Sequence, residues 1–207
     1  MTMWKRTTLI GATALVALAI TTGCSSSNEP EHPAGHNASP SATAAPATSA
    51  PAEDHNDADV MFAQHMIPHH QQAVEMSDML LGKQGIDPRV TELANEIKAA
   101  QGPEIQQMQG WLTQWGTPAM PPMSSHDMPG MQGMMSASDM TALKDAQGAE
   151  ASKLFLTQMI AHHEGAITMA QTEIKDGQFP AAIELAKAIA ATQQKEIDTM
   201  KGILPTL

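Results

Sequence analysis

The chain has 207 residues, 42% hydrophobic, 16% charged and 3% aromatic, with no Tyr, one Cys and 17 Met. A single Cys excludes an internal disulfide, a Cys-based zinc site, an iron–sulfur cluster and a c-type haem attachment. The 11 basic residues against 22 acidic ones give a net charge of −11, which repels phosphate; with few aromatic rings to stack on bases, nucleic acid is excluded as a partner.

Lys5 and Arg6 precede an uncharged stretch from Thr7 to Ile20, which is too short to span a membrane comfortably and reads as an export signal over residues 1–23. Thr21-Thr22-Gly23-Cys24 resembles a bacterial lipobox, which implies cleavage before Cys24, lipidation of its thiol, and a product tethered to the cell membrane and facing outward. Cleavage removes Lys5 and Arg6 and no acid, leaving 9 basic and 22 acidic residues and a net charge of −13. Residues 24–57 are rich in Ser, Ala, Thr and Pro, a composition that buries too little apolar surface to order itself, so they are expected to form a flexible tether. His32, His36 and His55 read as solvated linker residues.

The remaining residues, 58–207, contain a duplication. Phe62-x-x-x-Met66-Ile67-x-His69-His70-x-x-Ala73-Val74-x-Met76 returns 93 residues later as Phe155-x-x-x-Met159-Ile160-x-His162-His163-x-x-Ala166-Ile167-x-Met169. Leu93-Ala94-x-x-Ile97-x-x-x-Gln101-x-x-Glu104-Ile105-x-x-Met108 returns as Leu185-Ala186-x-x-Ile189-x-x-x-Gln193-x-x-Glu196-Ile197-x-x-Met200. Gly82 to Pro88 and Asp176 to Pro180 carry turn residues between the paired motifs. The unit is a helical hairpin present twice, and two hairpins with apolar stripes should pack as an all-α four-helix bundle.

Phe62, Met66, His69, Ala73, Met76 and Leu80 step by four and three, one face of a helix, so His69 is expected to point at the core and His70 to lie on the flank. In the partner helix Gln101 and Glu104 fall within the apolar stripe. His69 lies 14 residues before Lys83 and Glu104 lies 15 after Arg89; at 1.5 Å per residue both sit about 21–23 Å from the turn. The second copy repeats this with His162 and Glu196. A two-fold arrangement would gather His69, Glu104, His162, Glu196, Gln101, Gln193, Met66 and Met159 into one polar layer. Pro68 and Gly102-Pro103 interrupt the first-copy helices at that level, where kinks are expected; the second copy has Ala161 and Gln194-Lys195.

Buried imidazole and carboxylate each need a partner. A structural solution pairs His69 with Glu104 and His162 with Glu196. A metal is the alternative: Met66/His69 and Met159/His162 are i, i+3 pairs on one face, thioether with imidazole suits copper, and a second imidazole with Glu allows harder metals.

Met66-Ile67-Pro68-His69-His70-Gln71-Gln72-Ala73 and Met159-Ile160-Ala161-His162-His163-Glu164-Gly165-Ala166, each followed by Gln-x-x-Glu-Ile-x-x-Met, resemble the bacterial family catalogued as domain of unknown function 305, from about Asp59 to Leu204. The resemblance implies an exported, ferritin-like four-helix bundle with relatives linked to copper binding or tolerance. The family pattern places Asp three residues before each Phe. Asp59 fits, but Ser152 stands in the second copy, which weakens the case for two equivalent metal sites. The Glu and Glu-x-x-His set of di-iron proteins is absent, which disfavours iron oxidation.

Between the hairpins, residues 117–138 form a Met-rich connection. Seven Met lie between 120 and 140, among Pro and Gly residues that preclude a regular helix. Met120, Met123, His126, Met128, Met131, Met134 and Met135 lack apolar periodicity, and thioethers on a flexible chain can wrap Cu(I) or Ag(I). The segment could also fold back as an apolar lid or grip a protein. Met61, Met79, Met108, Met169 and Met200 fall at helical spacing and are expected in the core, with Trp111 and Trp115 capping the open end.

The leading expectation is a lipid-anchored, extracytoplasmic copper-binding protein that buffers or sequesters Cu(I) or Ag(I). Its loop donors would capture metal, and Met66, His69, His70, Met159, His162 and His163 would form an internal site, with Glu104 and Glu196 as supporting partners or ligands. The alternatives are a metal oxidase built on the same layer and an interaction module without metal. The sequence leaves self-association and a metal-transfer partner open.

Overall fold

The computed structural model describes residues 54–118 and 132–207. The leader, Cys24, the tether as far as residue 53, and Met120, Met123, His126, Met128 and Met131 lie outside the described residues. Among those described are five α-helices: α1 (Asp57–Leu81), α2 (Pro88–Gln114), α3 (Ala137–Asp145), α4 (Gly148–Asp176) and α5 (Pro180–Ile203), with a final 3-10 turn at Leu204–Thr206. Asn56 caps α1: its side chain accepts from the Ala58 and Asp59 amides, while the Asp59 carboxylate accepts from the Asn56 amide, a reciprocal capping box that fixes the helix start. Pro88 and Pro180 open α2 and α5, where a missing N–H costs nothing. α1 and α2 run on through Pro68 and Pro103, each of which deprives the carbonyl four residues earlier of its helical donor.

α1 packs on α2 and α4 on α5, and the two hairpins meet chiefly through α1 and α4. These two are antiparallel: Asn56 at the start of α1 donates to the Asp176 carbonyl at the end of α4, and Lys83 beyond the end of α1 donates to the Lys144 carbonyl just ahead of α4. The expected four-helix bundle is therefore present, with α3 added across it. Its apolar interior is divided in two. One cluster includes Met76, Leu80, Leu93, Ile97, Phe155 and Met159; the other includes Phe62, Met66, Met108, Trp111, Ala166 and Ile189. The duplication exchanges the clusters, and the duplicated histidines lie between them.

Position 59 and its repeat counterpart 152 do matching structural work. The Asp59 carboxylate accepts from the Gln178 and Phe179 amides at 3.0 and 2.9 Å, and Ser152 Oγ accepts from the Asp87 amide at 3.3 Å. Each hairpin thus uses its first helix to hold the turn of the other. The Asp-to-Ser difference thus changes how firmly each turn is anchored.

Several side chains fall elsewhere than expected. Met135 is 8% exposed and packs in the core near Leu143 and Ala146, so this methionine belongs to the bundle and not to a free loop; Met134 is half-buried. Met61, expected in the core, is 54% exposed, because it lies about 100° round the helix from Phe62. Met108 and Met200 are buried as expected, while Met79 and Met169 are half-buried. His55 is not a free linker residue: its ring stacks on Trp115 at 4.5 Å, beside an aromatic group completed by Trp111 and Phe179 at one end of the bundle.

Candidate metal centre

His69 from α1 and His162 from α4 meet where the two helices cross, with ring centroids 3.7 Å apart and planes tilted by 39°. The next residue on each helix is rotated by about 100°, which turns His70 and His163 back into their own hairpins. His70 Nε2 lies 2.8 Å from Glu104 Oε2, and His163 Nε2 lies 2.7 Å from Glu196 Oε2. All four rings are fully buried. The expected pairs, His69 with Glu104 and His162 with Glu196, are thus corrected by one residue. Counting from the turn found the level of the layer, but the first histidine of each pair faces the opposite hairpin and the second faces the carboxylate. The expectation that His70 lies on a flank is corrected too: that flank is the α1/α2 interface.

Hydrogen bonding selects the tautomers. An ionised carboxylate and a carbonyl only accept, so Nε2 of His70 and His163 donates to Glu104 and Glu196, and Nε2 of His69 donates to the Gln132 carbonyl at 3.2 Å. In a neutral His69 ring this leaves the lone pair on Nδ1. Nδ1 of His69, His70, His162 and His163 is buried without a hydrogen-bond partner, as is Nε2 of His162. The buried amides of Gln101 and Gln193 also keep unpartnered oxygens in the core. Most buried polar atoms are satisfied, so this concentration of orphaned polar atoms marks a place where a ligand would repay desolvation. Burial, reinforced by the neighbouring His70, pushes His69 down to about 3; burial and the facing His69 hold His162 well below the ordinary imidazole range. Both rings are therefore neutral, the state that coordinates a metal.

Met66 and Met159 are fully buried, one turn before His69 and His162, and belong to opposite apolar clusters on either side of the layer. Among the described residues no group of three His, Cys, Asp or Glu side chains converges as a metal site. Imidazole and thioether together form a donor pair suited to a soft ion.

A strap from Gln132 to Met135 crosses the layer. Besides the His69 contact, Gln72 Nε2 donates to the Met135 carbonyl at 2.9 Å while Gln72 Oε1 accepts from the Met135 amide at 2.7 Å. Farther on, Gln158 donates to the Asp139 carbonyl. Gly133 has φ +84°, and an added Cβ there would lie 2.7 Å from the Ala161 carbonyl and 2.9 Å from that of His162. Gly165 faces the same stretch, so two glycines permit backbone to lie against helix. Sequence reading missed Gln72, Gly165 and Gln158. The signal was present in the mismatch of the repeats, since Gln72 and Gly165 occupy equivalent positions. Of the seven connection donors, the described ones, Met134 and Met135, lie in this strap.

The chain matches the family model described as Domain of unknown function (DUF305) over residues 59–204. A DUF305 fragment from Deinococcus radiodurans is 34% identical, with a TM-score of 0.67, covering 73% of this chain and 98% of its own. A DUF305 protein from Streptomyces coelicolor is 34% identical, with a TM-score of 0.66, covering 72% and 93%. CopM in its Cu(II)-bound form is 33% identical, with a TM-score of 0.63, covering 72% and 96%; CopM has also been solved bound to Cu(I) and to Ag. No curated protein matches the chain. From the duplicated His-His motif to the paired hairpins and the extent of the match, the chain belongs to the DUF305 family.

Proposed function

We propose that this protein binds copper as Cu(I), accepts Ag(I) in its place, and buffers or sequesters the metal outside the cytoplasm while a lipid on Cys24 holds it at the membrane. The observation that carries the reading is the buried layer: neutral imidazoles with unpartnered Nδ1 atoms, flanked by the buried thioethers of Met66 and Met159. The similarity to CopM, solved with Cu(I), Cu(II) and Ag, supports the same choice of metal. The ion is cargo, and the proposal is one of binding, without turnover.

In this reading His69 and His162 supply the central nitrogen donors, with Met66 and Met159 adding soft sulfur from either side. Glu104 and Glu196 hold His70 and His163 through Nε2–H, fixing the orientation of each ring. Met120, Met123, His126, Met128, Met131 and Met134 of the connection supply the first capture of the ion, and Met135 acts as packing. Cu(I) competition titration tests the proposal. Replacing both His69 and His162 by Ala should weaken binding on the order of 100-fold or more, beyond the usual effect of losing a supporting residue. Changing the connection methionines to Leu should slow or weaken uptake while leaving the layer competent. Absence of Cu(I) binding by the unaltered protein would end the proposal.

A further inference from the structure

We infer that the groove between α1 and α4 holds a second, solvent-facing site for a soft monovalent cation, formed by Met61, His65 and Met169. These side chains line one cavity of about 450 Å³. Met61 is the one large apolar side chain exposed among the described residues, at 54%, and neither packing nor helix formation requires a thioether there. Met61 and His65 are i, i+4 neighbours on α1 and therefore share a face. Met169 approaches from α4, and the exposed carboxylate of Asp176 also lines the cavity, which favours a cation. Two thioethers on flexible, unbranched stems and one imidazole form a donor set for Cu(I) or Ag(I), not for a hard ion.

The duplication provides an internal control. The repeat counterparts of Met61, His65 and Met169 are Leu154, Gln158 and Met76. That half of the groove is filled: Gln158 bonds the Asp139 carbonyl of α3, and Met76 is fully buried. The soft donors are thus clustered in the half that the described part of the connection, Gln132 onward, does not cover, so they are not a by-product of the repeat. His65 stands one helical turn from His69, and Met169 two turns from His162, roughly 6 and 10 Å along the helix axes. The groove site lies apart from the buried layer and does not depend on the layer being a metal site.

Ag(I), which does not change oxidation state on binding, is the probe. With ¹³C-methyl methionine in the protein and resonances assigned by single Met→Leu variants, Ag(I) should shift the Met61 and Met169 methyl signals. The M61L/H65Q/M169L variant should bind one equivalent fewer by native mass spectrometry. Met-to-Leu exchange conserves volume, and an unchanged circular dichroism spectrum will show that the variant folds. Unmoved Met61 and Met169 signals at saturation, or full stoichiometry in the folded triple variant, would overturn the inference. The H69A/H162A variant separates the two sites. Its Met61 and Met169 signals should still shift; if the layer methionines Met66 and Met159 never respond in the unaltered protein, the layer proposal fails and the groove site stands.

Discussion

On one side of His69 and His162 the α1/α4 groove carries the strap Gln132–Met135 and helix α3, tied down through Gln72 and Gln158. On the other side the equivalent stretch of the same groove, lined by Met61, His65 and Met169, has no such cover among the described residues. The helices beneath are copies of one another, so the difference comes from the connection and from the few positions where the copies diverged. Gln72 became a two-point clamp for backbone, whereas its counterpart Gly165 became a gap that lets backbone pass. The duplicated scaffold sets the level and burial of the histidines, and the local exceptions decide what covers them.

The largest effect should come from breaking the scaffold on which both halves rest. Asp59→Ala strands the turn amides of Gln178 and Phe179 and should cost about 3 kcal/mol, whereas Ser152→Ala, which removes one neutral and longer bond, should cost about 1 kcal/mol. Urea unfolding of the two variants measures the asymmetry, and equal losses would show that the turns are held by other means. Next, Gly165→Ala drives a methyl into the Gln132 carbonyl; overpacking of this kind should cost about 1–3 kcal/mol. Faster hydrogen exchange at the Met135 amide would show that the strap has lifted, and an unchanged rate would show that the glycine contact is dispensable.

Glu104→Gln and Glu196→Gln compare the hairpins within the layer. Each should weaken Cu(I) binding by about 10–100-fold by loosening control of its histidine, and similar losses would show that the layer retains the symmetry that the groove has given up. A further effect is one of pH. Burial, with Asp59 beside it, pushes Glu173 up to about 8 from an ordinary 4.5. The folded protein therefore holds this proton more tightly than the unfolded chain, so the contribution is fully present below about pH 4.5, declines as pH rises, and is lost above about pH 8. Glu173→Gln should flatten that decline in a series of melting temperatures; an unaltered slope would locate the proton elsewhere.

Much of the fold was legible because a helix expresses its buried face at a fixed period. The spacing of Phe62, Met66, Ala73 and Met76 and its return from Phe155 gave the hairpins, while Pro88 and Pro180 marked where their second helices begin. The histidine layer was legible in height but not in direction. Distance from a turn is a count of residues, whereas the choice between His69 and His70 as partner of Glu104 depends on which neighbour occupies each side of α1. Helix α3 was hidden because Pro and Gly upstream suggested an irregular connection, although Ser136 and Asp139 already formed a capping box. Met61 was misplaced because thioethers are common core residues, and an exposed one looks the same in sequence as a buried one.

The clamp made by Gln72 also bears on how such a chain could have arisen. Two separate hairpins associating as equals would present the same groove twice and would have no means of distinguishing its ends. Joining them end to end forces a single linker across an axis that has no preferred side, and its landing place removes one of the two equivalents. Fusion therefore confers polarity: after it, the histidine pair has one side held under the strap and another that no described residue covers, an asymmetry that an assembly of identical halves could not possess.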